Sequence, residues 1–304
     1  MLKKKKIIII GGTGFLGYHL AKKSVKKGLE VISVSRRKAL KKRFLKKVKY
    51  KYADITKKHL LLKVLKNHLN ADFVVNLGGE VDHRNVKKTF LSHYIGTKNL
   101  SEIFLKKSLK KFIQTGSSLE YGKTKSPQKE STVAKPMSNY SKAKHLATKH
   151  LMKLYKKFKF PVIFLRPYQV YGPYQDINRF IPFVIYNCLH KKRFPCSRGT
   201  QFRDFLYIDD FTKIFFLIFE KSNLNGEIFN IGSGKAIQIK KIINYINRQI
   251  KSGHPEFGKT KLRKEESNKI YPSIKKAKKI LKWQPSINFY YGLKKTIEYY
   301  KSKK

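Results

Sequence analysis

Short apolar runs alternate with longer amphipathic stretches through the first half of the chain. Ile7 to Ile10, Val31 to Val34, Phe73 to Leu77, Phe112 to Thr115 and Val162 to Leu165 read as strands. The four consecutive isoleucines suit a strand buried on both faces, as the central strands of a parallel sheet are. Between these runs, Phe15 to Lys27, Leu60 to Leu69, Val86 to Leu105 and Tyr140 to Phe158 carry apolar residues at helical spacing. Alternation of this kind predicts parallel strands joined by helical crossovers. After Arg166 the rhythm changes: Gly, Pro and aromatic residues cluster, and helices at Asp210 to Phe219, Ile239 to Ile250 and Leu293 to Tyr300 are separated by longer loops. The Lys-rich tail from Lys301 to Lys304 reads as frayed and solvated.

The isoleucine run collides at once with glycines, in "IIIIGGTGFLGYHL". Gly12, Gly14 and Gly17 fit G-x-G-x-x-G directly after a strand and at the start of a helix, the context in which the pattern has meaning. Glycines there permit a tight turn and close packing, while the helix N-terminus offers N–H groups and a positive dipole to a pyrophosphate. The expected fold is therefore α/β, a Rossmann-type doubly wound parallel sheet with a smaller C-terminal α/β substrate lobe. Residues 1–166 form the dinucleotide-binding domain in this reading and residues 167–304 the lobe, part of which is free to return to the sheet.

Length and composition change the picture only in part. With 304 residues, 41% of them hydrophobic and 39 of them Phe or Tyr, the chain can bury a large core. Its longest apolar runs fall far short of the ~20 residues of a membrane span, and "MLKKKKIIII" has too short an apolar region for a secretory signal. Cys188 and Cys196 are too few for a disulfide framework and lack metal-ligand spacing, which fits a reducing cytoplasm. No membrane partner and no metal are expected. The net charge of +52 points first to nucleic acid. It is built, however, from 59 Lys and only 11 Arg scattered through every segment, whereas groove readers and phosphate clamps lean on the Arg fork. A solvated lysine surface explains it more simply, so no specific nucleic-acid partner is expected.

A second constellation is "PMSNYSKAK", where Tyr140 and Lys144 lie four residues apart on a predicted helix and share a face. A phenol ordinarily titrates near ~10. A neighbouring ammonium and the positive ring of an oxidised nicotinamide both favour its phenolate. About twenty residues earlier, "TGSS" supplies Ser117 as a hydroxyl able to hydrogen-bond a substrate oxygen. At the end of the second predicted strand, "VISVSRR" offers Ser35, Arg36 and Arg37 where an acid would bind a ribose 2′-hydroxyl. Arginine is scarce in this chain, so the pair favours NADP(H), with NAD(H) as the alternative.

Taken together, "GGTGFLG", "TGSSLEYG" and "NYSKAK" resemble the extended short-chain dehydrogenase/reductase family, in particular its nucleotide-sugar epimerases, dehydratases and 4-keto reductases. The resemblance continues in "LRPYQVYGP", "GTQFRDFLYIDD", "IFNIGSG" and "LKWQP", nearly to the end of the chain. It implies a cytoplasmic homodimeric enzyme of carbohydrate biosynthesis acting at C4 of a nucleotide-linked sugar. Ser117, Tyr140 and Lys144 are then the catalytic set. Gly11, Gly14 and Gly17 form the family's glycine loop, with Phe15, Leu16, Ser35, Arg36, Asp54 and Ile55 beside the cofactor. Arg203 and Arg263 look like its pyrophosphate contacts, and Asn178, Arg179 and Asn230 like further substrate contacts. Four departures stand out. Ser118 and Leu119 replace the Asp and Glu that move protons in the 4,6-dehydratases, which disfavours dehydration. His93 stands where Asn is usual in N-x-x-G-T, and Gln169 replaces another Asn. "NLGG" at Asn76 to Gly79 replaces a run ending in two alanines. "GSSLEYG" looks nearest to reductases of 4-keto-6-deoxy sugars, with a 4-epimerase as the alternative and a non-enzymatic dinucleotide- or RNA-binding protein as a third reading.

Overall fold

The computed structural model describes residues 2, 4–80, 82–261 and 267–304. In chain order its strands are β1 (Lys6–Ile10), β2 (Glu30–Ser35), β3 (Val48–Tyr52), β4 (Phe73–Asn76), β5 (Lys111–Thr115), β6 (Val162–Pro167), β7 (Gln169–Tyr171), β8 (Arg193–Cys196), β9 (Phe202–Tyr207), β10 (Ile228–Ile231), β11 (Ala236–Gln238), β12 (His254–Phe257) and β13 (Lys269–Ile270). Its α-helices are α1 (Phe15–Lys26), α2 (Lys58–Leu65), α3 (Val86–Phe90), α4 (Gly96–Phe104), α5 (Asn139–Phe158), α6 (Phe180–Leu189), α7 (Ile208–Glu220), α8 (Ile239–Ile250), α9 (Lys275–Leu281) and α10 (Phe289–Lys301). The chain folds as two compact units, one of Met1–Gly122, Val133–Pro167 and Thr212–Phe229, the other of Lys123–Thr132, Tyr168–Phe211 and Asn230–Lys304.

The first unit is built on a sheet of order β6-β5-β4-β1-β2-β3, in which all six strands run parallel, with Ile228 and Phe229 of β10 at its β6 edge. The isoleucines of β1 are all buried, at 2% exposure or less, because the sheet is covered on both faces. Ile8 and Ile10 pack with Ile32, Val34, Val74, Phe112 and Phe164 in one continuous core. Strand order reverses at β1, which lies between β4 and β2. That is the place where an open α/β sheet leaves a crevice at the carboxyl ends of its strands.

Two local features depart from the apolar pattern. β3 was not expected, because Lys49 and Lys51 interrupt its apolar residues; it is the outermost strand, beside β2, where lysines protect a sheet edge. The helical run from Val86 is not uniform either. Between α3 and α4 it widens into a π-type turn over Leu91–Ile95, which carries the buried Ser92 and His93. Such widened turns are common at functional sites.

A buried carboxylate joins β5, β6 and α5. Glu120, fully buried, accepts hydrogen bonds from the Ser117 backbone N–H at 2.9 Å, the Thr148 hydroxyl at 3.0 Å and the Arg166 guanidinium at 2.9 Å. Burial pushes its carboxyl up, but the His145 imidazole, the Arg166 charge and the Ser117 N–H outweigh it and hold the carboxyl below the ordinary range.

In the second unit β9 is central. It pairs with β11 antiparallel, and with β13 and β7 parallel at its two ends, while β8 pairs with β12. Asp210 ties the C-terminal segment down by accepting from the Ser286 hydroxyl and from the backbone N–H groups of Ser286 and Ile287. The last residues are less free than a frayed tail: α10 runs to Lys301, and the Lys304 ammonium donates to the Leu189 carbonyl at 2.6 Å.

Replacing Glu120 by Ala strands the Arg166 cation, only 3% exposed, without its counter-ion. A broken buried pair costs about 3–5 kcal/mol. Urea unfolding monitored by circular dichroism is expected to register a loss of that size for Glu120→Ala, and a loss under 1 kcal/mol would show the pair to be dispensable.

Candidate active site

The glycine turn after β1 is forced by packing. A Cβ on Gly17 would lie 2.3 Å from the Gly11 carbonyl oxygen and 2.6 Å from the Gly12 Cα, so α1 can approach the turn only with glycine there. Gly14 caps α1 without a side-chain hydrogen bond, which leaves the first-turn N–H groups of Phe15, Leu16 and Gly17 for an anion. A cavity of about 290 Å³ opens beside this turn. Of the residues expected at a cofactor, Gly11, Gly14, Ser35, Arg36, Asp54 and Ile55 line it; Phe15, Leu16 and Gly17 belong to the adjoining helix turn. The donor-rich turn, the cavity and the acidic and basic groups at its far wall fit a dinucleotide.

Among the lining residues that were not expected at a cofactor are Gly78, Gly79, Glu80 and Ser92. Ser92 comes from the π-type turn, and the three others from the loop after β4, held in shape by Asn76, whose amide accepts from the Gly78 N–H and donates to Thr97 and Gln114. Glu80 reaches across to Arg36, with the carboxylate 3.1 Å from the guanidinium. Its backbone N–H donates to the Ser92 hydroxyl, and its carbonyl lies 3.1 Å from His93 Nε2.

Lys144 sits in the second turn of α5, buried at 5% exposure, and its ammonium donates to the Thr115 carbonyl at 2.7 Å. Burial pushes it down to about 8, with the Glu120 carboxylate opposing that shift. Its Nζ lies 5.9 Å from the centroid of the Tyr140 ring. Two residues beyond Thr115, the Ser117 hydroxyl accepts from the Leu119 N–H, which leaves its own O–H to donate. The structure thus gathers Ser117, Lys144 and Tyr140 around the end of β5.

Two histidines bracket the phenol. His83 stacks on the Tyr140 ring at 3.9 Å and His93 meets it edge-on at 4.9 Å. A carbonyl only accepts, so the bond to Glu80 assigns the proton of His93 to Nε2. Nδ1 is then a buried acceptor, with no hydrogen-bond partner among the described residues. Burial first and the Lys144 ammonium second hold this imidazole neutral, far below the usual histidine range. A Cβ on Gly79, whose φ is +149°, would fall 1.9 Å from the His93 ring. The Gly79 and His93 departures noted in the sequence are therefore one event: the imidazole fills the volume that alanine would occupy.

The expected substrate contacts lie in the second unit. Asn178 and Arg179 are exposed at the start of α6. Arg203, on β9, is buried and donates to the Phe202 and Asn268 carbonyls. Asn230 is fully buried and its amide donates to the Gln128 carbonyl, a packing position. Arg263 lies outside the described residues. Among the described residues no helix is long and apolar enough to cross a membrane, and no cluster of His, Cys, Asp and Glu could hold a metal.

A doubly wound sheet with a glycine turn at its switch point and a Tyr-x-x-x-Lys pair beside it defines a dinucleotide-dependent enzyme of the short-chain dehydrogenase type. More closely, residues 7–232 match the NAD dependent epimerase/dehydratase family, and the chain belongs to it. It is 27% identical to a putative UDP-glucose 4-epimerase of Methanocaldococcus jannaschii, over 97% of this chain and 98% of that one. It is 28% identical to the dTDP-D-glucose 4,6-dehydratase of Bos taurus, over 98% and 89%. The crystal structure of the UDP-glucuronic acid 4-epimerase from Bacillus cereus, in complex with UDP-glucuronic acid and NAD, superposes with a TM-score of 0.89 at 26% identity, over 98% and 100%.

Gly79→Ala forces the His93 ring aside, and overpacking of this kind costs about 1–3 kcal/mol. A lower melting temperature is expected for Gly79→Ala, partly recovered in the double variant with His93→Ser; strictly additive losses would show that the two positions do not compete for space. Lys144 makes a second prediction. Because its folded pKa lies below the ordinary 10.5, the unfolded chain binds more protons between about pH 8 and 10.5, and stability attributable to this group rises with pH across that window. The unfolding free energy of wild type relative to Lys144→Met should rise by up to about 1.4 kcal/mol per pH unit there, measured by urea titration at pH 8, 9 and 10.

Proposed function

We propose that this enzyme is a nucleotide-sugar 4-epimerase that retains NAD. The observation carrying the reading is the buried Lys144 ammonium, anchored on Thr115 and sharing a helix face with Tyr140, beside the Ser117 hydroxyl. That set suits proton exchange at an alcohol carbon. When bound, the nicotinamide ring supplies reversible acceptance of a hydride from C4. Tyr140 takes the proton of the C4 hydroxyl as the alcohol is oxidised and returns it once the keto sugar has turned its other face. Ser117 donates to the sugar oxygen throughout, and Lys144 stabilises the phenolate. Proton and hydride are each returned, so the reaction is redox-neutral.

The relatives named for 4-epimerisation, and the NAD and UDP-glucuronic acid in the Bacillus cereus complex, support this choice of reaction, cofactor and substrate class. Dehydration is not supported: Ser118 and the 44% exposed Leu119 offer no acid or base after Ser117. Val86 and Phe90 on α3 and Leu146 on α5, all exposed, support a homodimer. A second reading, a 4-keto-6-deoxy-sugar reductase using NADPH, is favoured by Ser35, Arg36 and Arg37 on the cavity wall.

Incubation with UDP-glucose and UDP-glucuronic acid, followed by chromatography and mass spectrometry, is expected to yield C4 epimers without net absorbance change at 340 nm. Stoichiometric NADPH consumption with a 4-keto-6-deoxy sugar would replace this reading by the second. Tyr140→Phe is expected to slow turnover by ~10²- to 10⁴-fold, the usual weight of a positioned proton donor, while leaving dinucleotide affinity within a factor of a few. Activity close to wild type would remove Tyr140 from the mechanism.

A further inference from the structure

The end of β2 carries two arginines and no acid, yet an acid stands at that wall of the cavity. Glu80 arrives from the loop after β4, and its carboxylate lies 3.1 Å from the Arg36 guanidinium, with side-chain exposures of 17% and 43%. Both residues, with Ser35 and Arg37, line the cavity beside the glycine turn. An ion pair this exposed adds little to folding stability. Its consequence is local: the cation that a 2′-phosphate would need is already engaged, and a carboxylate faces the same space.

We propose that Glu80 is the cofactor-specificity determinant of this enzyme, supplying from the β4 loop the acid that the β2 turn lacks and thereby selecting NAD over NADP. The physical basis is the contrast between the two adenosine riboses. A 2′-hydroxyl can donate to a carboxylate, whereas a 2′-phosphate carries up to two negative charges and is repelled by it. Arg36 is held to Glu80, and Arg37 is the other arginine of the cavity lining. The loop is anchored through its backbone, by the Glu80 N–H on Ser92 and the Glu80 carbonyl at His93, so the carboxylate is presented from a fixed position. Replacing Glu80 by the isosteric Gln removes the charge and keeps both backbone anchors.

The inference rests on the reading of the protein as a nicotinamide-dependent enzyme, but its test does not need a sugar substrate. Dissociation constants for NAD⁺ and NADP⁺ are measured by isothermal titration calorimetry on wild type, Glu80→Gln, Glu80→Asp and the double variant Glu80→Gln with Arg36→Gln. Wild type is expected to bind NAD⁺ at least tenfold more tightly than NADP⁺. Glu80→Gln should raise NADP⁺ affinity at least tenfold with little change for NAD⁺, Glu80→Asp should keep the NAD⁺ preference, and the double variant should lose the gain because the freed guanidinium is gone. A wild type that prefers NADP⁺, or a Glu80→Gln variant whose ratio of the two constants stays within threefold of wild type, would overturn the proposal. Failure of epimerisation would leave these constants as they are, and a failed selectivity test would leave the turnover result untouched.

Discussion

The site depends on the Glu120 carboxylate. Fully buried, it draws together the exit of β5 through the Ser117 N–H, β6 through Arg166 and α5 through Thr148. Desolvating a carboxylate is costly, and it is tolerated here because a guanidinium, a hydroxyl and an amide replace the lost water. The same three tethers orient the Ser117 hydroxyl and hold α5 at the strand end, where Lys144 finds the Thr115 carbonyl. Helix α5 and the ends of β5 and β6 are thus joined by one charge and its partners.

The scarcity of acids makes each buried one conspicuous. Against 70 Lys and Arg the chain has 18 Asp and Glu. Besides Glu120, Asp210 holds the C-terminal segment, and Asp204 accepts from the Ser233 and Lys235 N–H groups while burial raises it to about 6. Glu80 stands at the cofactor cavity. The surrounding lysines create a field that attracts anions, nucleotide sugars among them, without contributing a specific contact.

Much of the fold was legible because apolar periodicity reports burial directly. β1, β2, β5 and β6 fall where the apolar runs do, as does α5 to within a residue. β3 escaped because an edge strand needs only one apolar face, and lysines at Lys49 and Lys51 made it read as loop. α6 escaped because its Pro182 argues against a helix; the proline is tolerated in the first turn, where no N–H partner is lost. The π-type turn at Leu91–Ile95 leaves no mark on the pattern, since widening a helix by one residue changes no residue's polarity.

By itself the sequence determined the chemistry available: a glycine turn that only a close backbone approach explains, a Tyr and a Lys on one helix face, and a serine at a strand end. These are local facts, set by spacing of a few residues within one element. It also pointed to NADP, because Arg36 and Arg37 were the charges visible near the second strand. Only the tertiary structure decided that Glu80, forty-four residues on, shares the cavity with Arg36, and that His93 fills the space above Gly79 beside Tyr140. Loops that leave the same end of a parallel sheet bring together residues one or more crossovers apart, here across β1, and no periodicity along the chain records which of them will meet.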